Sequence, residues 1–420
     1  MNDFSSRKWV LVAGARPNFM KVAPILRAIT SYNQTHGAQI HPILVHTGQH
    51  YDANMSDLFF KDLNLPEPDI FLEAGSGSHG EQTGKILIEF EKVLLREKPS
   101  LVIVVGDVNS TIACALAAVK LHIPVAHVES GLRSFDRRMP EEINRVLTDA
   151  ISDFLFTPSP DADENLMKEG ISPEKIFLVG DIMVDSLLQN LEQSQKSNIL
   201  RRLGLLATTD PVLSSGFKQD GLEGSFSGSP VTSYALLTLH RPSNVDDRNT
   251  FSRIMKSLLE HTAKLPILFP LHPRTRKQIK ELNMEAHFEF HPSPDLDPQD
   301  YHNGTKLKNK IHCFDPFGYL DFLQTMANAK LLLTDSGGIQ EETTVLNIPC
   351  ITLRDTTERP ITITHGTNAL VGSNPHKIAA EIDRVLRGET RIARCPLYRH
   401  GRTAEKIVEI LASKCQIYTS

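Results

Sequence analysis

The chain has 420 residues, a formal net charge of −5 and 23% charged residues, which suits an ordinary globular protein long enough for two domains with their own cores. No apolar run approaches the roughly 20 residues of a membrane-spanning helix, the opening MNDFSSRKWV lacks the apolar segment of a secretory signal, and no basic excess points to nucleic acid. Five scattered cysteines without a CxxC pair, and histidines without HExxH, predict reduced thiols, a cytoplasmic protein and no metal site.

In chain order, Lys8 to Gly14 reads as a strand ending in glycine, followed by an apolar pattern at helical spacing through Phe19, Val22, Ile25, Leu26 and Ile29. Arg16 and Lys21 stand where a βα crevice presents cations, although GxGxxG is absent. Gln39 to Thr47 is the next strand. Leu101 to Asp107 (LVIVVGD) and Ile123 to Glu129 (IPVAHVE) are buried strands that each end in a carboxylate. Ligands of parallel sheets bind beyond the carboxyl ends of the strands, so Asp107 and Glu129 converge on one crevice. Pro140 opens a helix in which Glu141 and Arg145 stand four apart, at ion-pair spacing. Phe154 to Pro158 and Lys175 to Gly180 are further strands, and a helical segment from about Asp181 to Leu203 leads away.

Residues 207–232, rich in Gly, Ser and Asp, read as an exposed loop or insertion. The sheet pattern then restarts. Tyr234 to Leu239 ends at His240-Arg241, and Ile267 to Leu271 ends at His272-Pro273-Arg274, a repeated His/Arg pair suited to an anionic ligand. Residues 291–310 form a second polar insertion. Phe322 is placed either to border a flat base or to fill the core. Leu331 to Leu333 is a buried strand, and Ser336-Gly337-Gly338 turns it into a helix whose unpaired N–H groups and dipole suit a diphosphate. The alternative is that Ser336 only caps that helix. Glu341 and Glu342 are expected in its first turn, with one of them directed at sugar hydroxyls. Arg354, Arg359, a strand Ala369 to Gly372, a helix near His376 to Leu386 and a final amphipathic helix from Thr403 follow.

The expected class is therefore α/β, two doubly wound parallel-sheet domains with chemistry in the cleft between them. Residues 1–182 would carry the acids and residues 183–398 the diphosphate site. Residues 399–420 would cross back to the first domain.

With these motifs in place the chain resembles the non-hydrolysing UDP-N-acetylglucosamine 2-epimerases, whose fold is the two-Rossmann GT-B arrangement. The resemblance runs through GARPNFMK from Gly14, GD at Gly106, HVESGLRS from His127, PEEINR from Pro140, LHRPSN from Leu239, LHP from Leu271, TDSGGIQEE from Thr334 and RDTTERP from Arg354. It implies that Asp107, Glu129, Glu141 and His240 surround the reacting sugar and that Arg145 supports the carboxylates. It further implies Arg16 and Lys21 against the UDP-sugar, His272 in the cleft, and Ser336, Gly337 and Gly338 on the diphosphate. Glu342 would hold ribose or sugar hydroxyls, with Arg359 nearby and Phe322 beside uracil. A UDP-sugar substrate, no cofactor and a homodimer are implied as well.

The family inverts C2 of UDP-N-acetylglucosamine by anti elimination of UDP to 2-acetamidoglucal and re-addition. The residue types suit that chemistry, because C2–H is not acidic and becomes so only as C1–O cleavage builds positive charge. Carboxylates stabilise such charge and act as bases, while cations and a helix start stabilise the leaving diphosphate. Asp107, Glu129 and Glu141 are all consistent with removing or returning the proton. Ala15 and Asn18 depart from the commoner GTRPE opening, and RPSN follows His240 in place of RRE. Epimerases of modified UDP-sugars such as diacetamido uronic acids, a hydrolysing epimerase and a GT-B glycosyltransferase are the alternatives. In substrate-activated relatives a second UDP-sugar is contacted by a Gln-His pair like Gln49-His50, by an arginine like Arg241 and by an arginine in a loop that here reads Gly75-Ser76-Gly77-Ser78-His79. Hyperbolic kinetics are therefore expected.

Overall fold

The computed structural model describes residues 7–37, 39–48, 65–205, 214–219, 222–227, 233–291, 309–394 and 401–414, with 214–219 and 222–227 as backbone alone. The chain divides into two compact units, Met1–Ser186 with His400–Ser420, and Leu187–Arg399. Among the described residues no helix is long and apolar enough to cross a membrane. Cys114, Cys313 and Cys350 are buried free thiols, and Cys395 and Cys415 lie outside the described residues.

The first unit alternates strand and helix: β1 (Arg7–Ala13), α1 (Arg16–His36), β2 (Ile40–His46), β3 (Ile70–Phe71), α2 (His79–Glu97), β4 (Leu101–Val105), α3 (Asn109–Lys120), β5 (Val125–Val128), α4 (Pro140–Ile151), β6 (Phe154–Thr157), α5 (Pro160–Lys168) and β7 (Ile176–Leu178). The strands form one parallel sheet in the order β3-β2-β1-β4-β5-β6-β7. β4 is buried at every position, as its unbroken apolar run requires when helices cover both faces. Val10, Val12, Val102 and Val104 pack with Ile86, Phe90 and Val93 of α2 and with Ala113 and Ala117 of α3. The strand order reverses between β1 and β4, which makes the ends of these two strands the natural ligand position of this sheet.

The second unit repeats the plan. Its elements are α6 (Ile182–Ser194, which begins in the first unit), α7 (Ile199–Arg202), β8 (Ser214–Gln219), β9 (Leu222–Ser227), β10 (Ala235–Thr238), α8 (Pro242–Val245), α9 (Arg248–Leu259), β11 (Ile267–Pro270), α10 (Pro273–Glu281), β12 (Phe288–His291), β13 (Ile311–Phe314), α11 (Tyr319–Ala327), β14 (Leu331–Thr334), α12 (Gly337–Val345), β15 (Cys350–Thr352), α13 (Ile361–Thr364), β16 (Asn368–Leu370) and α14 (Pro375–Leu386). The parallel order is β12-β13-β11-β10-β14-β15-β16, again reversing beside the first strand of the sheet, here between β10 and β14. The stretch 207–232, expected as loop, contains the antiparallel pair β8–β9. Of the second insertion, 292–308 lies outside the described residues.

The last helix, α15 (Thr403–Lys414), belongs to the first unit. The buried Asp185 carboxylate accepts from Thr403 N at 3.2 Å and from Ala404 N at 2.8 Å, so an acid of α6 supplies the cap that its own sequence lacks.

Candidate active site

In the first unit Gly106 and Asp107 follow β4 and Glu129 follows β5, one strand over. Glu129 is 5% exposed and pairs with the buried Lys21 of α1. Its φ is +68°, a left-handed conformation that costs a non-glycine residue about 1 kcal/mol or more and that persists where surrounding structure enforces it, commonly at functional sites. Gly106 also lies at φ +68°, and a Cβ there would stand 2.7 Å from Lys21 Nζ. The close approach of the turn to the Lys21–Glu129 pair thus depends on glycine.

Asp107 is held differently. Arg145 of α4 donates through Nη1 to Asp107 Oδ2 at 2.5 Å and through Nη2 to Glu142 Oε2 at 2.6 Å. The pair expected between Arg145 and Glu141 is therefore corrected: Glu142, one residue on, faces the guanidinium at three-residue helical spacing, and the Glu141 side chain pairs with no cation among the described residues. Glu142 also accepts from Ser134 N, Ser134 Oγ and Phe135 N. Burial opposes its charge, but these donors and Arg145 hold its carboxyl below the ordinary glutamate value. Asn144 donates to Asp107 O at 2.9 Å, so α4 grips the Asp107 turn by side chain and backbone together.

Asn18 accepts from Gly14 N at 3.0 Å and Ala15 N at 2.9 Å and donates to Val105 O at 3.1 Å. It closes the first βα turn and ties it to β4. Arg16 opens α1, and its side chain lies outside those described.

In the second unit Asp335, at the end of β14, is fully buried. It accepts from Arg241 N at 2.8 Å, His240 N at 3.1 Å and Asn244 Nδ2 at 3.2 Å, and lies 3.0 Å from His240 Nδ1. Burial would raise its carboxyl, but His240 and the two backbone donors hold it below the ordinary aspartate value. Nδ1 of His240 is thereby engaged, and the ring is half-exposed. The repeated His/Arg pattern does not repeat the role, since His272 caps α10, accepting from Arg274 N at 3.3 Å, and Arg274 is spent on Asp246.

Ser336 stands at the N-cap of α12 with no side-chain capping bond, so capping does not account for its hydroxyl. Glu341 and Glu342 lie in the second turn of α12, not the first, and both are buried. Glu341 pairs with Arg359 at 2.5 Å, and Glu358 with Arg359 at 2.8 Å and Arg354 at 2.7 Å. Burial of Glu358 is outweighed by these arginines, and its carboxyl lies well below the usual range. A Cβ at Gly337 would strike Glu358 and stand 2.6 Å from Arg359 Nη1, so the glycine lets the helix start lie against this ion cluster. Phe322 is half-buried on α11. Asp335 escaped the sequence reading although it obeys the rule that identified Asp107, a carboxylate just past a buried strand. Glu142 and Glu358 carried no comparable signal.

Residues 33–412 match the family model for UDP-N-acetylglucosamine 2-epimerase. The UDP-N-acetylglucosamine 2-epimerase of Methanocaldococcus jannaschii is 44% identical over 96% of this chain and 98% of its own length. The UDP-2,3-diacetamido-2,3-dideoxy-D-glucuronate 2-epimerase of Pseudomonas aeruginosa is 41% identical over 96% and 99%. Among solved structures, the Methanocaldococcus jannaschii UDP-GlcNAc 2-epimerase in complex with UDP-GlcNAc and UDP is similar with a TM-score of 0.78 and 43% identity, covering 97% of this chain and 99% of that one. The Neisseria meningitidis UDP-GlcNAc 2-epimerase bound to UDP-GlcNAc gives a TM-score of 0.77 at 30% identity, covering 97% and 100%. The two parallel-sheet units are those of a GT-B-like fold.

Proposed function

From the premise that the chain belongs to the UDP-N-acetylglucosamine 2-epimerase family, and is thus an epimerase, we propose that it interconverts UDP-N-acetylglucosamine and UDP-N-acetylmannosamine without added cofactor, supplying a precursor of cell-surface polysaccharide. The observation that carries the reading is the pair of strand-end carboxylates, Asp107 on Arg145 and Glu129 on Lys21, each with its cation. UDP leaves C1 with its electron pair as a base takes the C2 proton, giving 2-acetamidoglucal. Reprotonation of C2 from the other face and return of UDP oxygen to C1 complete the exchange. Asp107, Glu129 and Glu141 divide the proton transfers. His240, oriented by Asp335, and the turn Ser336-Gly337-Gly338 with Arg359 stabilise the departing diphosphate. Arg16, His272, Glu342 and Phe322 bind the remainder of the nucleotide sugar. The working species is a homodimer.

Proton NMR of the purified protein with UDP-N-acetylglucosamine in heavy water tests this. Both UDP-sugars should appear at equilibrium with deuterium at C2. Free N-acetylmannosamine accumulating with UDP would mean hydrolysis, and turnover only with an acceptor would mean transfer. The 41% identity to the Pseudomonas aeruginosa enzyme favours a second reading, epimerisation of a diacetamido uronic acid UDP-sugar. Side-by-side kcat/KM values for the two substrates decide between them.

A further inference from the structure

The glycine turn at Gly106 and the loop after Glu129 are joined by a buried side chain that the proposed mechanism does not use. His127, on β5 and 0% exposed, has its Nε2 2.8 Å from Gly106 O and its Nδ1 2.6 Å from Asp149 Oδ1 of α4. A carbonyl oxygen only accepts, so Nε2 carries a hydrogen. Asp149 is an acceptor as well. Its Oδ2 receives Gly131 N at 3.0 Å and Arg133 Nη1 at 2.7 Å. Burial works against its charge, but His127, Arg133 and the Gly131 N–H hold the carboxyl below the ordinary aspartate value. A carboxylate facing Nδ1 at 2.6 Å requires a hydrogen on that nitrogen too.

We infer that His127 is a positioning residue, an imidazolium that donates from both nitrogens and so fixes the Asp107 turn to the Glu129 loop through Asp149. One end of this link sets Gly106, whose next residue is Asp107. The other sets Gly131, two residues beyond Glu129. Arg133, itself buried, pairs also with Glu169 at 2.6 Å, whose carboxylate lies at the surface, 35% exposed, so the two cations of the cluster face one buried and one surface carboxylate. A neutral ring would leave one nitrogen lone pair against an oxygen lone pair, displacing either the Gly106 carbonyl or Asp149. Displacement on the scale of 1 Å at reacting groups costs about a hundredfold in rate.

The inference rests on the proposed epimerisation for its kinetic readout but not for its spectroscopic one. In full-length protein labelled with 15N-histidine, at the pH of its activity optimum, one histidine should show two ring N–H protons shielded from solvent exchange, and that signal should vanish in His127→Asn. Asp149→Asn keeps the shape and removes the charge, and there the same ring should show one N–H. Both variants should lower kcat roughly tenfold to a hundredfold, with KM and UDP affinity within about twofold of the unmodified protein. A single ring N–H on His127 in the unmodified protein, or unaltered kcat in a folded His127→Asn, overturns the assignment. Should His127→Asn not fold, the proton count and Asp149→Asn still decide. Since the proton count needs no turnover, failure of the proposed reaction is distinguishable from failure of this role.

Discussion

Arg145 and Asp107 meet at 2.5 Å, with the guanidinium 2% and the carboxylate 31% exposed. One charge is therefore locked in the interior while its partner remains accessible. The lock is Glu142, buried and bonded to the other edge of the same guanidinium. Replacing Glu142 by Gln removes the buried counter-charge of Arg145 and should cost about 3 kcal/mol of unfolding free energy, the scale for breaking a buried ion pair from one side. The folded-state carboxyl of Glu142 lies below its ordinary value. Its contribution is thus fully present above the unfolded glutamate pKa and is lost as pH falls through the folded value. Urea unfolding should show a gap between the unmodified protein and Glu142→Gln that is widest near neutrality and narrows in acid. A gap independent of pH would contradict the assignment.

The strand-end acids and the Gly337 turn should affect different steps. Asp107→Asn and Glu129→Gln should each lower turnover by about a hundredfold or more and leave UDP affinity nearly unchanged. Gly337→Ala should do the reverse, because its Cβ meets the Glu358–Arg359 pair and pushes the helix start away from its ligand. Titration calorimetry with UDP, alongside turnover, measures both. Loss of UDP binding in folded Asp107→Asn would contradict this division.

The strand-end acids were legible because LVIVVGD and IPVAHVE change abruptly from apolar to charged, and a parallel sheet sends that boundary to the ligand side. Helix-borne acids gave no such contrast. Glu141, Glu142 and Asp149 share α4, and sequence spacing alone made Glu141 the partner of Arg145, whereas the loop N–H groups of Ser134 and Phe135 select Glu142. The expected place of Glu341 and Glu342 failed by one turn because α12 begins at Gly337 itself. β3 has only two residues, too few for any period to register, and β12 (Phe288–His291) abuts the polar insertion that masks its pattern.

Stability should also fall in mild acid for a reason separate from the carboxylates. His46 is 1% exposed, stacked between Phe19 and Phe71, and accepts from Gly48 N at 2.9 Å. Burial lowers its pKa to about 4. The unfolded chain therefore takes up this proton first as pH falls. The neutral ring's contribution is complete above the unfolded value of about 6.5 and is lost progressively down to the folded value, in all about 3 kcal/mol. His46→Phe keeps the stack and removes the titration, so its melting temperature should decline less than that of the unmodified protein between pH 6.5 and 5. Parallel declines would show that another group governs this window.

Substrate regulation gives the last expectation. A second UDP-sugar of the kind the resemblance implies for substrate-activated relatives needs several cations at its diphosphate, and of the two arginines expected there the loop one is missing from the sequence and Arg241 is engaged. The loop Gly75 to His79 has no arginine. Its Ser78 hydroxyl caps α2 by accepting from Glu81 N at 3.3 Å, and the His79 ring is bonded to Asn109. Arg241 donates from Nε to Asp335 O at 3.1 Å and lies 3.9 Å from Glu358. Gln49 and His50 lie outside the described residues. Serine cannot replace the bidentate, permanently charged donor that an arginine presents to phosphate. Initial rates should accordingly be hyperbolic in UDP-N-acetylglucosamine, and UDP-N-acetylmannosamine supplied alone should be epimerised in reverse. Inserting the missing charge as Ser76→Arg should introduce sigmoidal rates if the rest of that site is intact. Sigmoidal kinetics in the unmodified enzyme, or a reverse reaction silent until a trace of UDP-N-acetylglucosamine is added, would show that a second nucleotide sugar binds without that arginine.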